Sequence, residues 1–379
     1  MTVLFICSGA NLLGANRSLL ALVTNLKNEG IIPIVCSPNY GSLLLELEKV
    51  GISYWVVPYV NWAFTKYITK MYWLHLVGLS KNMIEQKQAI EQLKNKVLHH
   101  GNIDLIYTNS SITGVGAQLA EATAIPHIWH IREFGEADYN LCFGLGRILF
   151  NQYANRAKAV ISISKAIKVA VLNKITVPIH TLHNGIFTRD FLATIPQQSY
   201  ETLRPFRFIL LGIVHPAKGQ LQAILAFKEV YKINKNCTLN IIGSGRRDYM
   251  LLLKLNIWWY GLQKVVRLKP YTLQPLNEIA DAHALLMCSP HEGLGRVTLE
   301  ASACGLPVIG YKGGGTIELI DNYENGILYE NKKELVAAMH LLMNDTELCK
   351  KLGKNGKAKL AKSYDIKAFA HAIATIIKS

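Results

Sequence analysis

Short runs of four to six apolar residues alternate with amphipathic stretches along the whole chain. Val3–Cys7, Ile32–Cys36, Tyr54–Val57, Leu105–Thr108, His127–His130 and Ala159–Ser162 are such runs. Helical patterns lie between them, as at Ser18–Lys27 and Ser42–Val50. Within a run the apolar residues do not alternate with polar ones, which fits strands buried on both faces. Strands separated by helices predict a parallel α/β sheet. The pattern restarts after a polar stretch, Pro196–Pro205, with strands expected at Phe208–Leu211, Thr238–Ile242, Val265–Leu268, Ala284–Met287 and Pro307–Gly310. Helical segments separate these too, among them Leu221–Tyr231, Val297–Cys304 and Lys332–Met343. At ~100–200 residues per domain, 379 residues suit two domains. The expectation is two Rossmann-like α/β halves, 1–190 and 205–364, joined near 190–205 and facing a central cleft. The last helix, Ile366–Lys378, has no strand of its own, so 365–379 is expected to pack back on the first half.

Lys and Arg number 41 against 26 Asp and Glu, a formal charge of +15, while only 18% of residues are charged. A typical soluble protein has about 25%. A basic, apolar chain of this kind favours an anionic partner. Nucleic acid is not expected, since there is neither a recognition motif nor a basic run. No apolar run reaches the ~18–20 residues of a membrane span. The start, MTVLFICSGANLLG, lacks a basic flank and reads as a buried strand rather than a signal peptide. Seven cysteines without C-x-x-C spacing read as reduced core thiols, which favours a cytoplasmic setting.

In sheets of this type ligands bind beyond the carboxyl ends of the strands, so the loops after the strands are the places to search. Ser8–Gly14 follows the first strand and opens a helix; it is either a plain tight turn or an anion-accepting helix start. In FILLGIVHPAKGQ (208–220), Lys218 precedes a helix and can meet a phosphate as a point charge. IIGSGRRDYM (241–250) carries Gly243, Gly245 and Arg246, and reads equally as a pyrophosphate loop or a small-residue turn. The richest loop is SPHEGLGRVTLEASACGLPVIGYKGGGTIELI (289–320). Glu292 lies in its glycine-containing turn and Glu300 in the helix that follows, a spacing suited to one carboxylate at the mouth of a site and one on a ligand's hydroxyls. Gly313–Gly315 is expected to form a further anion-accepting turn.

HEGLGRVTLEASACGLPVIGYKGGGTIELIDNYENGILYE (291–330) resembles the C-terminal signature of glycosyltransferase family 4. Glu292 and Glu300 match its E-x7-E motif. GANRSLLALVTNLKNEG (14–30), HNGI (183–186), GIVHPAKG (212–219) and IIGSG (241–245) are similar to the family's other loops. The resemblance implies the glycosyltransferase B fold and retaining transfer from a nucleotide diphosphate sugar. It implies Glu300 on the ribose, Glu292 on the donor sugar and Lys218 on the diphosphate. It puts Gly243 and the Gly293–Leu294–Gly295 turn on the donor side, Gly14 close to the phosphates, and His130 of HIWHIREF beside the transferred sugar. Two positions depart from the pattern. Ile213 stands where the family carries a phosphate-binding Arg, and Arg246 is the expected substitute. Leu13 stands where many members have a second glycine. There is no D-x-D, so neither a metal nor another cofactor is expected.

Residues 61–100 hold six lysines, two glutamates and Trp62, Phe64, Tyr67, Tyr72 and Trp73. Lysine interleaved with aromatics suits the surface of an anionic membrane, or equally core aromatics beneath a solvated lysine face. LNIWWYGLQKVVRLKP (255–270) is a second such stretch, while 81–98 reads as a solvated helix. The partners expected are therefore a nucleotide-sugar donor, a glycan or lipid-linked acceptor, and an anionic membrane face. Two rival readings are a sugar-nucleotide epimerase of similar fold and a non-catalytic nucleotide- or glycan-binding protein.

Overall fold

A computed structural model describes residues 1–65, 72–139, 141–143, 146–195 and 205–379. For 64, 65, 72–81, 142 and 143 it describes the backbone alone. The chain forms two compact units, Met1–Gly185 with Ile366–Ser379, and Ile186–Asp365. The division falls at Gly185, and Arg189–Thr194 is a helix of the second unit. Most of the stretch read as a linker, 196–204, lies outside the described residues.

The first unit carries β1 (Thr2–Ile6), β2 (Ile32–Ser37), β3 (Ser53–Val56), β4 (Ala63–Thr65), β5 (Leu105–Thr108), β6 (His127–Ile131), β7 (Leu141–Phe143), β8 (Ala159–Ser162) and β9 (Ile179–Thr181). Seven of them make one sheet in the order β3-β2-β1-β5-β6-β8-β9, every described pairing parallel. β4 and β7 pair antiparallel, apart from that sheet. The central strands β1, β5, β6 and β8 are buried along their length, as their unbroken apolar runs require.

The second unit carries β10 (Phe206–Leu211), β11 (Cys237–Ile242), β12 (Val266–Lys269), β13 (Ala284–Met287), β14 (Val308–Tyr311) and β15 (Ile327–Tyr329). Their order, β12-β11-β10-β13-β14-β15, is that of a doubly wound nucleotide-binding sheet. In both units the order reverses beside the first strand, so the loops after β1 and β5, and after β10 and β13, flank the two switch points. The strands that patterning missed, β4, β7, β9 and β15, have three residues each, too few to show a period.

The last helix, Ile366–Lys378, belongs to the first unit. Ile366, Phe369, Ala370, Ile373 and Ile377 lie on its buried side and share a core with Leu19, Leu22 and Leu26 of helix Gly14–Leu26. The helix at 82–100 is solvated except for a stripe of Ala89, Leu93 and Val97. Six cysteines are buried and free; the side chain of Cys142 lies outside the described residues. Among the described residues no helix is long and apolar enough to cross a membrane.

In the stretch 61–80 the side chain of Trp62 is described. Its indole donates to the Ser111 carbonyl at 2.8 Å and its ring packs against those of Trp129, Phe150 and Tyr153. It is a half-buried packing residue. Phe64, Tyr67, Tyr72 and Trp73 lie outside the residues whose side chains are described.

Two histidines of β6 are fully inside the first unit. His127 shares a 2.8 Å hydrogen bond with Thr108 on the neighbouring strand, and burial holds its pKa at about 3, down from an ordinary 6.5. His130 is pushed down in the same direction by burial and then by the charge of Arg132.

Two predictions follow from this packing. Ile373→Ala opens a cavity between the last helix and helix Gly14–Leu26, and costs about 2–5 kcal/mol in the unfolding transition of the first unit, read by urea titration. An unchanged midpoint would remove that helix from the core. The buried histidines make stability pH-dependent. Below about 6.5 the unfolded chain binds protons that the folded unit refuses, so stability falls as pH drops. Between pH 7 and 5 His127 alone contributes a loss of about 2 kcal/mol, with His130 adding to it. A midpoint that does not fall over this range contradicts neutral burial.

Candidate active site

In the second unit the strand-end loops are brought together by missing side chains. Gly219, at a φ of +71°, lies against the Cys288 carbonyl at the end of β13, where a Cβ would collide with it. Ser289 Oγ donates to the Ala217 carbonyl at 3.0 Å, tying the same two loops. His215 caps the single turn Pro216–Lys218, its Nδ1 accepting from the Ala217 amide at 3.2 Å. The consequence is a contact between residues 74 positions apart: Lys218 Nζ lies 2.7 Å from Glu292 Oε2. Each side chain is 16% exposed, so the pair sits at the surface of the loop cluster with its charge only partly hydrated.

The triple glycine has a steric duty. Gly313, Gly314 and Gly315 lie directly on the backbone of the Glu292 loop. A Cβ on Gly313 would come within 2.6 Å of the Pro290 carbonyl, one on Gly314 within 2.5 Å of the Glu292 carbonyl, and one on Gly315 would strike the Gly293 carbonyl. The Gly315 N–H donates to the Glu292 carbonyl at 2.7 Å, and the helix beyond, Thr316–Leu319, is a single turn. These glycines therefore seat the Glu292 loop, and the Gly313 and Gly315 N–H groups are committed to carbonyls of the chain.

Gly295, at a φ of +100°, starts helix Arg296–Ala303, and Leu294 beside it is buried. A left-handed residue here is a glycine requirement, and it turns the chain so that Glu300 emerges on the helix it opens. Glu300 is buried and accepts from Arg296 Nε at 2.9 Å. An ionised carboxylate has about four acceptor positions, so one guanidinium bond leaves capacity for a ligand's hydroxyls.

Gly243 is needed for contact within the chain: a Cβ there would strike the Gly212 carbonyl. Of its two sequence readings, the small-residue turn is the one with a steric reason. Arg246 precedes helix Arg247–Trp259 and forms a bidentate pair with Asp248, 2.6 and 3.2 Å. It is still felt by the Lys218 loop: His215 is held below its ordinary value by burial, and then by the charges of Lys218 and Arg246. Ile213 is exposed at the same loop.

In the first unit Gly14 is the exposed first residue of helix Gly14–Leu26. Among the described residues a Cβ there would meet nothing within 4 Å, so none of them requires a glycine at this point. Asn16 holds the preceding loop by donating to the carbonyls of Gly9 and Asn11, at 2.7 and 2.8 Å. His130 is the next-to-last residue of β6, at the carboxyl end of the strand. It pairs in register with Ile161 inside the sheet, and it is fully buried. Tyr107 Oη lies 2.6 Å from its Nδ1 and an Arg132 nitrogen 3.3 Å from the same atom. Two donors on Nδ1 put the proton of the neutral ring on Nε2, which has no partner among the described residues.

The residues that sequence reasoning passed over lie just beyond β5 and β6. Arg132 is buried and donates to Asn109 Oδ1 at 2.7 Å and to Asn184 Oδ1 at 2.9 Å. Asn109 in turn reaches the Ala15 carbonyl, next to Gly14, at 3.3 Å. Glu133 accepts from Ser110 Oγ, the Ser111 amide and Ser111 Oγ at 2.5, 2.6 and 2.8 Å. A buried charge needs such bonds. The available signal was the polar pair Arg132-Glu133 directly after an apolar run.

The model for glycosyltransferase family 4 matches residues 13–190, and the model for glycosyl transferases group 1 matches residues 193–359. An uncharacterized glycosyltransferase of Methanocaldococcus jannaschii is 24% identical over 343 residues, 86% of this chain and 92% of that one. The capsular polysaccharide biosynthesis glycosyltransferase CapM of Staphylococcus aureus is 26% identical over 228 residues, 55% of this chain and 58% of that one. Among solved structures, HepE of Anabaena in complex with UDP and glucose superposes with a TM-score of 0.81 at 21% identity, over the whole of both chains. Both sheets thus have the architecture of the glycosyltransferase B fold. Matched in each half by a model of sugar-transferring enzymes, the chain belongs to glycosyltransferase family 4.

Proposed function

We propose that this enzyme moves a sugar from a uridine diphosphate sugar to a glycan or lipid-linked acceptor hydroxyl, with retention at the anomeric carbon. The observation that carries the reading is the Lys218–Glu292 pair, with Glu300 on the helix that follows, at the switch point of a doubly wound sheet. The UDP named with HepE supports the choice of nucleotide, and CapM supports a role in surface polysaccharide assembly.

In this account Lys218 is a cation stored on Glu292. An arriving diphosphate draws its ammonium away, which leaves the Glu292 carboxylate to accept from hydroxyls of the donor sugar. Glu300 holds the ribose hydroxyls, and Gly293, Leu294 and Gly295 line the donor. Gly14 allows the open helix start of the first unit to approach an anion. The bond from the anomeric carbon to the phosphate oxygen breaks as the acceptor oxygen attacks from the same face. The acceptor's proton passes to the departing phosphate oxygen. Charge grows on the diphosphate, and fixed donors aimed at it lower the barrier. Lys218, with Arg246 as a second cation, supplies that stabilisation, so the transfer is proposed to need no metal. His130, held at Nδ1 by Tyr107 and Arg132, is proposed to lie beside the transferred sugar with its Nε2 proton available to it.

The test is a pair of substitutions read two ways. Lys218→Ala weakens UDP binding by calorimetry and slows UDP release from UDP-sugar by about 10²–10³-fold. Glu292→Gln keeps UDP binding within a few-fold and loses turnover to a similar extent. Wild-type rates in either folded variant contradict the assignment. An altered sugar on the donor, with no acceptor present, would favour an epimerase instead.

A further inference from the structure

We propose that the outer face of helix Arg247–Trp259 docks the second unit on an anionic lipid bilayer. This surface does not depend on the donor or acceptor chemistry above.

The helix has two apolar faces. Leu253 and Ile257 are buried, with Tyr249 and Met250 packed beside them against the core. At about 100° per residue, Leu251, Leu255 and Trp258 fall opposite Leu253, with Leu252 and Trp259 alongside. All five are exposed, Trp258 by 63% and Trp259 by 75%. A helix that is hydrophobic all round is ordinarily buried, and scattered exposed leucines need no explanation. Five large apolar side chains on one face of a 13-residue helix do need one.

Charge identifies the occupant. Between Arg246 and Lys269 there are six cations and one carboxylate. That carboxylate, Asp248, is held by Arg246 at 2.6 Å. Arg247 and Lys254 are exposed on the helix, and Lys264 and Arg267 are exposed in the segment that follows it. An isologous contact with a second copy would set these cations against their own images, which is unfavourable. Anionic headgroups neutralise them, while leucines enter the acyl boundary and tryptophans settle at headgroup depth. The exposed face is also a convex ridge of one helix, a shape that a deformable bilayer accepts without a matching groove.

Co-sedimentation of the full chain with vesicles at low salt tests this. With phosphatidylglycerol mixed into phosphatidylcholine the protein pellets; with phosphatidylcholine alone it stays in the supernatant. Trp258→Ser with Trp259→Ser lowers the partition coefficient by about tenfold or more. Lys254→Glu with Lys264→Glu and Arg267→Glu removes the preference for anionic vesicles. These positions are exposed, so melting temperature and UDP binding stay at wild-type values and serve as the folding control. Three results overturn the proposal: wild-type protein left in the supernatant with anionic vesicles, tryptophan variants that pellet like wild type, or a dimer in solution that the tryptophan substitutions dissolve.

Discussion

The second unit's site depends on backbone touching backbone. Gly219 on Cys288, and Gly313 to Gly315 on Pro290 to Gly293, let three loops from different strands share one small volume. Any Cβ at these contacts would hold the loops apart. Their closeness is what sets Lys218 2.7 Å from Glu292. Glycine here trades chain entropy for approach. The return is a charged pair held in place by loops whose order does not depend on a ligand.

The first unit solves a related problem with side chains. Beyond β5 and β6 a buried guanidinium and a buried carboxylate are held by amide and hydroxyl partners, Arg132 by Asn109 and Asn184, and Glu133 by Ser110 and Ser111. His130 and His127 are kept neutral beneath them by burial. Polar networks of this kind are firm when satisfied and costly when broken. They give the strand ends a fixed geometry next to the open helix start at Gly14.

The alternating pattern made the sheets legible because a strand buried on both faces leaves an unbroken apolar run. Leu105–Thr108, Ala159–Ser162 and Ala284–Met287 were read to the residue. Three-residue strands such as β9 and β15 carry no such signal. At the site, the E-x7-E spacing and Lys218 stood out as residues, but their contact did not. It arises from packing between loops 74 positions apart, which local sequence does not encode. The triple glycine shows the same gap. Its composition matched an anion loop, and only the neighbouring backbone reveals that it also seats the Glu292 loop. Arg132 was missed because a polar residue after a strand looks like solvated loop until its partners are in place. The lysine–aromatic stretch at 255–270 was legible in the sequence, but its exposed face was not; a third of the net charge of +15, six cations less one carboxylate, falls between Arg246 and Lys269 on and after one exposed apolar helix.

The central claim is that glycine packing creates the Lys218–Glu292 site. Gly314→Ala addresses it directly, because Gly314 has a φ of +54° and a Cβ there would come within 2.5 Å of the Glu292 carbonyl. UDP affinity and the rate of UDP release should be measured together with the melting temperature. The account predicts a folded protein whose turnover falls about as far as that of Glu292→Gln, since the loop shifts and the carboxylate moves with it. Wild-type affinity and turnover in Gly314→Ala would contradict it.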